Sequence, residues 1–460
     1  MKWGFSTQQE WSDYDTLQIK LQLQQSNTIH NKHWDTARYC IEQGAWIDVR
    51  EGGLDENTSQ TPCEYISGLI EDIENEEKKN KKKKKKIKEN NKEYVEMCKW
   101  ILKKRITYPM KQIEYAIDYV KDKLIDEDGV SKVIDTEVHL FLLGMNQKEL
   151  KEILIDDNLL YWATGRNVVF MKNENLNRKR FDEGWYVMTF LRYRIFLLFE
   201  ICVELKREGT CNIKLPKNTT FEQVCKKGLK ELQVQLTTYW DYITGVRIHN
   251  KCPALLDDWS LNIVDRLMNL KPTLSKNEYY EMSLVVGHKG HTIYLSLCKI
   301  FNYILIRIDN RWMKTVPSNT SHPKKTIQIN DKRCKEIQPY VVAYFPCDSE
   351  NINKNKEWLK NYIKYAFALR NDESDKSMKH LYCSDIQSLH DTPPREGELP
   401  SIVKSWPYRP VQTKANNCYL RSHNVGYRIR LDENLYKWFR NQEEKSFVFD
   451  RSNHSKGMNE

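Results

Sequence analysis

From Glu281 onward the chain is punctuated in a way that leaves few folds open to it. Three short runs, Ser283–Val286, Thr292–Cys298 and Tyr303–Ile308, are rich in β-branched, aromatic and other apolar residues and are broken only around Gly287, Gly290 and Asn302. Runs of this length and composition read as strands, and connections this short join only antiparallel neighbours, so the region predicts an antiparallel meander. Val341–Phe345 offers a further strand and Trp358–Ala368 a helix. Thr392–Pro410 is proline-rich and reads as an irregular connection, after which Cys418 opens a helical pattern reaching about Phe439.

Upstream the periodicity is that of helices. Asp35–Gln43 places Ala37, Cys40 and Ile41 on one stripe and stops at Gly44. Longer helical patterns run over Trp185–Leu205 and Phe221–Trp240, so residues 156–270 read as mainly helical. At 460 residues the chain exceeds the size at which a single core keeps growing. Its 13 Trp, 25 Tyr and 40% hydrophobic content supply enough apolar surface for folded domains despite 30% charged residues. The expectation is an α+β protein divided at 1–155, 156–270 and 271–440, with a polar tail over 441–460. Met1–Phe5 does not lead into the apolar run of a secretory signal. The most apolar stretch, Gly184–Glu204, carries Arg192, Arg194 and Glu200 and reads as a buried helix, so no membrane span is expected.

The formal charge of +10 has a local origin. Ten lysines lie between Lys78 and Lys92, and without them 63 basic residues balance 63 acidic ones. That balance argues against a nucleic-acid-binding face, leaving the Lys78–Lys92 segment as the one candidate for polyanion contact or nuclear import. The bland reading of such a run is a solvated loop. Twelve cysteines without a CxxC pair read as free thiols rather than as a disulfide framework or a zinc site, and no cofactor or metal is called for. His288 and His291 lack a third ligand at metal spacing and read as a turn, as does the Asp257–Asp258 pair or else as a helix cap. No Walker or dinucleotide fingerprint occurs.

Thr61-Pro62-Cys63-Glu64-Tyr65-Ile66 resembles the Thr-Pro-Leu-His-x-Ala motif that opens the inner helix of an ankyrin repeat. Proline suits the first turn of a helix, and Thr61 can cap it. The stripe around Ala37 and a second one over Tyr94–Leu102 then stand as outer helices, with residues 71–92 inserted within one repeat. Further units are read from Tyr108 through Val120 and from Val138 through Leu154. The resemblance covers roughly residues 15–155; an unrelated α-helical bundle is the alternative.

Two positions in the C-terminal part carry chemistry. His291 enters a strand after Gly287-His288-Lys289-Gly290, and the returning strand ends in Asn310-Arg311-Trp312. Gln412 precedes Cys418 by six residues, Tyr419 follows the cysteine, and a helical pattern begins there. This constellation resembles the papain-like cysteine peptidases, in which a histidine opens a strand, an Asn-x-Trp ends the next, and a glutamine stands six residues before a nucleophilic cysteine at a helix start. The chain order is reversed relative to papain, so the resemblance is to a circularly permuted form. Asn416 and Asn417 stand where that family has glycines.

The resemblance implies Cys418 as nucleophile, His291 as general base and acid, Asn310 as the residue orienting the imidazole, and Gln412 as an oxyanion donor. Asp309 is the alternative orienting residue. A degenerate site and a coincidence of ordinary core residues are the other readings.

Taken together, ankyrin-like repeats and a permuted papain-like region in a Lys- and Asn-rich chain resemble the ankyrin-bearing effectors that intracellular bacteria such as Legionella deliver into host cells. That resemblance implies residence in the bacterial cytoplasm before export, then in the host cytosol and nucleus. It implies a host protein bound by the repeats and a thiol hydrolase acting on a peptide, isopeptide or glutamine amide. A non-catalytic ankyrin scaffold binding a host protein is the competing function.

Overall fold

The computed structural model describes residues 34–42 and 92–107 and the helical positions 187, 191, 194, 195, 197, 198, 201 and 202. It further describes 214–270, 280–383 apart from 301, 315, 319, 321, 330, 331, 348 and 349, then 401–411 and 418–443. The Thr61–Pro62 motif, the lysine run up to Asn91, the units read from Tyr108 and Val138, and Gln412 lie outside the described residues. The chain divides into two compact units, with α1 and α2 in the first and both sheets with their covering helices in the second.

In the first unit, α1 (Trp34–Glu42) buries Ala37, Cys40 and Ile41, the stripe read from the sequence. Helix α2 (Lys92–Thr107) is longer than the Tyr94–Leu102 pattern and takes in Lys92, the last lysine of the run. It buries Met97, Ile101, Leu102 and Ile106, and the Arg38 guanidinium of α1 lies 5.7 Å from the centroid of its Trp100 ring.

The second unit mixes helices with two antiparallel sheets. After the helical positions between 187 and 202 comes α3 (Phe221–Lys251), whose start is a reciprocal cap: the Thr220 hydroxyl accepts the Gln223 N–H at 3.2 Å and the Gln223 side chain accepts the Thr220 N–H at 3.0 Å. Then come α4 (Leu256–Asn269), β1 (Tyr280–His288), β2 (His291–Ile300) and β3 (Tyr303–Asp309). The β1–β2 hairpin pairs His288 with His291, so its loop is the two residues Lys289-Gly290, with Gly290 at φ 82°. The expected meander is present and is extended by β6 (Tyr340–Pro346) to the order β1-β2-β3-β6. A second sheet, β4 (Lys324–Ile329), β5 (Lys332–Ile337) and the two-residue β7 (Arg409–Pro410), has no counterpart in the sequence reading. Its strands carry Lys324, Lys325, Lys332, Arg333 and Lys335, which hide the apolar alternation a strand search relies on.

After β6 follow α5 (Ile352–Ala368), α6 (Ser374–Cys383), the single turn α7 (Ser401–Lys404) and α8 (Cys418–Leu431). The helical pattern expected through Phe439 is broken at Asp432, which adopts φ 67° and caps a further helix over 433–443 by accepting the N–H groups of Asn434 and Leu435. Residues 441–443, expected to begin the polar tail, belong to this helix, and the rest of that stretch lies outside the described residues. Glu443 is fully buried, bonded by Arg194 at 2.6 Å and by the Tyr427 hydroxyl at 3.1 Å.

Strand β2 is buried along its whole length because both faces are covered. Alternation sends Tyr294, Ser296 and Cys298 to the face on which α8 lies, while α4 packs against β2 and α5 and α6 against β1. Helix α8 comes very close to the sheet at Gly426. A Cβ there would meet Arg430 Nη1 at 2.8 Å and Asp309 Oδ2 at 2.9 Å.

What lies between α8 and the sheet is charged. The Arg307 guanidinium, 0% exposed, forks onto both Glu281 oxygens at 2.9 Å and onto Asp309 at 2.6 and 2.9 Å, and also donates to Ser296 at 3.0 Å. Arg430 of α8 bonds Glu281 as well, and forks onto Glu231 of α3 at 2.6 and 2.7 Å. Burial alone would raise the Glu281 carboxyl, but the two guanidinium groups outweigh it and hold it below the usual carboxylate range. Trp406 closes the cluster, its ring centroid 5.0 Å from the Arg307 Cζ.

Removing one member strands the others in a dry interior, which for a buried pair costs about 3–5 kcal/mol. Arg307→Ala is accordingly expected to lower the urea midpoint by a corresponding amount. Arg307→Lys should recover little of it, since an ammonium cannot reproduce the fork. A change below about 1 kcal/mol for Arg307→Ala would contradict the network.

Candidate active site

The site is assembled at the N-terminal ends of two elements. His291 is the first residue of β2 and Cys418 the first of α8. The tight β1–β2 turn fixes His291. At Gly287, with φ 134°, an added Cβ would lie 2.1 Å from the His291 carbonyl oxygen, so only glycine fits. The turn is clamped from outside: Lys289 N–H donates to the Asp372 carbonyl at 3.0 Å, and the Ser377 hydroxyl of α6 donates to the Gly287 carbonyl.

Helix α8 delivers the thiol to the same place. Cys418 Sγ accepts the N–H of Thr292 at 3.3 Å, the amide that directly follows His291, and the Ser422 hydroxyl one turn on donates to the Thr292 carbonyl at 3.3 Å. A sulfur at a helix N-terminus that also accepts a backbone N–H sits where negative charge is favoured.

Asn310 follows β3 immediately. Its Oδ1 lies 3.0 Å from His291 Nε2 and accepts the Trp312 N–H at 2.9 Å, while its Nδ2 donates to the Trp312 carbonyl and to the Tyr382 hydroxyl, both at 3.1 Å. All four hydrogen-bonding positions of the amide are used. A backbone N–H only donates and a carbonyl only accepts, so the two bonds to Trp312 fix which end of the amide is oxygen. His291 Nε2 therefore carries the hydrogen, and its Nδ1 holds the lone pair. The Trp312 ring stands edge-on to His291, with centroids 4.6 Å apart.

Three of the four residues read as catalytic from the sequence, Cys418, His291 and Asn310, are thus drawn to the turn end of the central hairpin, although Cys418 lies more than a hundred residues from the other two. The fourth, Gln412, lies outside the described residues. Asp309, the alternative orienting residue, commits its oxygens to Arg307 and Ser296, and His291 bonds its neighbour instead. His288 hydrogen-bonds the Lys289 carbonyl through Nδ1 at 2.8 Å. Among the described residues no group of three or more His, Cys, Asp or Glu side chains is placed to hold a metal ion. Asp257 lies in the first turn of α4 and pairs with Lys364 at 2.7 Å.

Sequence reasoning missed the Thr292 amide, Tyr382 and His322. A backbone donor leaves no trace in the residue type, Tyr382 looks like one more apolar position of α6, and His322 lies in a loop before Pro323.

His291 and His322 are both uncharged near neutral pH. Burial pushes His291 down to about 4, against the lift from Asn310 and with a further push from His288. Burial likewise holds His322 at about 4. A histidine near 6.5 when unfolded and near 4 when folded binds its proton more readily in the unfolded chain. Its contribution to stability is thus complete above about pH 6.5 and is lost as pH falls toward 4. The unfolding free energy from urea titration should drop over that window, with a slope reaching about 1.4 kcal/mol per pH unit for each such histidine. A flat profile between pH 6.5 and 4.5 would show these rings to be freely protonated in the folded protein.

The chain matches no family model, no curated protein and no solved structure.

Proposed function

We propose that this protein is a thiol-dependent hydrolase of an amide bond, with Cys418 as nucleophile, His291 as general base and acid, and Asn310 as the residue that orients the imidazole. The observation that carries the reading is a cysteine at a helix start whose sulfur accepts the N–H of Thr292, the residue next to a His–Asn pair whose tautomer leaves Nδ1 unprotonated. Coincidental sequence matches have no reason to converge in this way.

In the reaction, His291 Nδ1 takes the Cys418 proton as sulfur attacks the carbonyl carbon. Developing charge on sulfur raises the proton affinity of the ring during the step. The imidazolium returns that proton to the leaving nitrogen, giving an amine or ammonia and a thioester. Water, deprotonated by His291, then cleaves the thioester to a carboxylate and restores the thiol. Gln412 is proposed to donate to the oxyanion together with the Cys418 N–H.

A permuted papain-like fold for the C-terminal region and ankyrin-like repeats for the N-terminal one belong to the same proposal. The repeats would bind a host protein and the thiol site would modify it, as in the effectors of intracellular bacteria. What supports the repeat reading is the pair of helices α1 and α2, each with one buried stripe where the sequence motif calls for an outer helix. A second reading, a non-catalytic scaffold, is favoured by one observation: His291 is 3% and Cys418 8% exposed, so the pair is closed to bulk solvent.

Labelling with iodoacetamide, mapped to individual cysteines, separates the two. An active site predicts rapid alkylation of Cys418 at neutral pH, absent in Cys418→Ala and slowed about 100-fold or more in His291→Ala. Gln412→Ala should slow turnover by about 100-fold while sparing the labelling. Alkylation of Cys418 in the wild type at the same rate as in His291→Ala would remove the hydrolase reading and leave the scaffold.

A further inference from the structure

The hydrogen bonds of Asn310 do not end at Tyr382. The Tyr382 hydroxyl is 2.8 Å from His322 Nε2, and His322 Nδ1 is 2.8 Å from the Gln338 carbonyl oxygen. Gln338 in turn donates through Nε2 to the Trp406 carbonyl at 2.6 Å. Asn310, Tyr382 and His322 are all at most 2% exposed, so none can exchange these partners for bulk water.

The direction of every bond in this chain follows from its far end. A carbonyl only accepts, so His322 Nδ1 carries the hydrogen and Nε2 the lone pair. Tyr382 must then donate to Nε2, which turns its oxygen lone pairs toward the amide group of Asn310. That amide is obliged to present Nδ2 to Tyr382 and Oδ1 to His291. Burial keeps His322 uncharged near neutral pH, as this arrangement requires. The chain orders the Asn310 amide in the same sense as the Trp312 backbone does.

The two constraints are not duplicates. Trp312 is two residues from Asn310 and moves with the same segment, so its bonds fix the amide within that segment only. Tyr382 comes from α6 and His322 from the approach to β4, 72 and 60 residues away in their respective bonds. This second arm ties the Asn310 amide itself to separate elements of the fold, whereas the bonds of Arg311 to the Pro410 carbonyl of β7 hold only its own side chain.

We propose that Tyr382 and His322 are positioning residues of the Cys418–His291 site, holding the Asn310 amide against His291 from elements outside the β2–β3 hairpin and so keeping its Nδ1 free as the base. The proposal rests on the hydrolase reading for its consequence but not for its geometry.

The test uses the full chain with 15N-labelled histidine, reading the ring nitrogens of His291 and His322 together with the alkylation rate of Cys418. The wild type should show a protonated Nε2 on His291 and a protonated Nδ1 on His322. Tyr382→Phe should turn the His291 signals into a mixture of tautomers and slow Cys418 alkylation about 10-fold or more, the scale on which orienting partners of functional imidazoles act. His322→Leu should do the same. His322→Gln, whose side-chain oxygen can accept the Tyr382 hydrogen where Nε2 does, should restore both readouts, a rescue that mere packing would not produce.

Protonated Nδ1 on His291 in the wild type would overturn the proposal, as would unaltered His291 ring signals in both Tyr382→Phe and His322→Leu. An unreactive Cys418 with the expected ring signals and their loss in the variants would instead remove the hydrolase reading and leave the positioning chain standing.

Discussion

The four-stranded sheet and the helix that covers it are arranged around a guanidinium group that has no access to water. Arg307 sits in the middle of an antiparallel sheet, on the face that α8 covers, and its charge is answered by Glu281 from β1 and Asp309 from its own strand. A charge in such a place is tolerated only if its hydrogen bonds are complete, and completing them dictates the register of three strands. Glu281 must face Cys298, Ser296 must face Arg307, and both pairings are met in one register of the meander. A slip of one residue would turn the carboxylates to the opposite face. Arg430 extends the requirement to α8 and, through Glu231, to α3.

The same alternation explains why the candidate site residues lie where they do. Asp309 faces the charged layer, and Asn310, the next residue, is left to turn toward His291. The depth at which α8 seats on the sheet is set by Gly426, whose missing side chain leaves room for the Arg430 and Asp309 side chains that a Cβ would meet. That seating carries the first residue of the helix to the start of β2. The position of Cys418 is therefore a consequence of the close approach at Gly426 and of the Arg430 charge cluster, about two and three turns further along the same helix.

The meander, α1 and the helix beginning at Cys418 were legible because their patterns are governed by local rules: β-branched runs around glycines, an apolar stripe ending at Gly44, a break in texture after a proline-rich connection. The sheet of β4, β5 and β7 was not, because lysines and arginines occupy most of its exposed positions and β7 is only two residues long. The break at Asp432 was missed because an aspartate in a left-handed conformation looks from sequence like any polar position of a helix. In the site, Cys418, His291 and Asn310 were found through a pattern of residue types at fixed spacing. Tyr382 and His322 belong to no such pattern, and their part depends on which end of each side chain meets which carbonyl. Asp309 and Asn310 could not be separated by spacing, since adjacent residues on a strand differ only in the face they take.

Helix α6 touches the site at both of its ends. Ser377 near its start holds the Gly287 carbonyl in the turn that leads to His291, and Tyr382 near its end holds Asn310. A rigid rod gripping two points cannot release them one at a time without bending. Exposing the buried Cys418 and His291 would then require α6, the hairpin tip and the segment after β3 to depart together, as a single cooperative foldon rather than as a fraying loop. Such a unit resists small fluctuations, so that exposure of the pair is set by the free energy of one collective event.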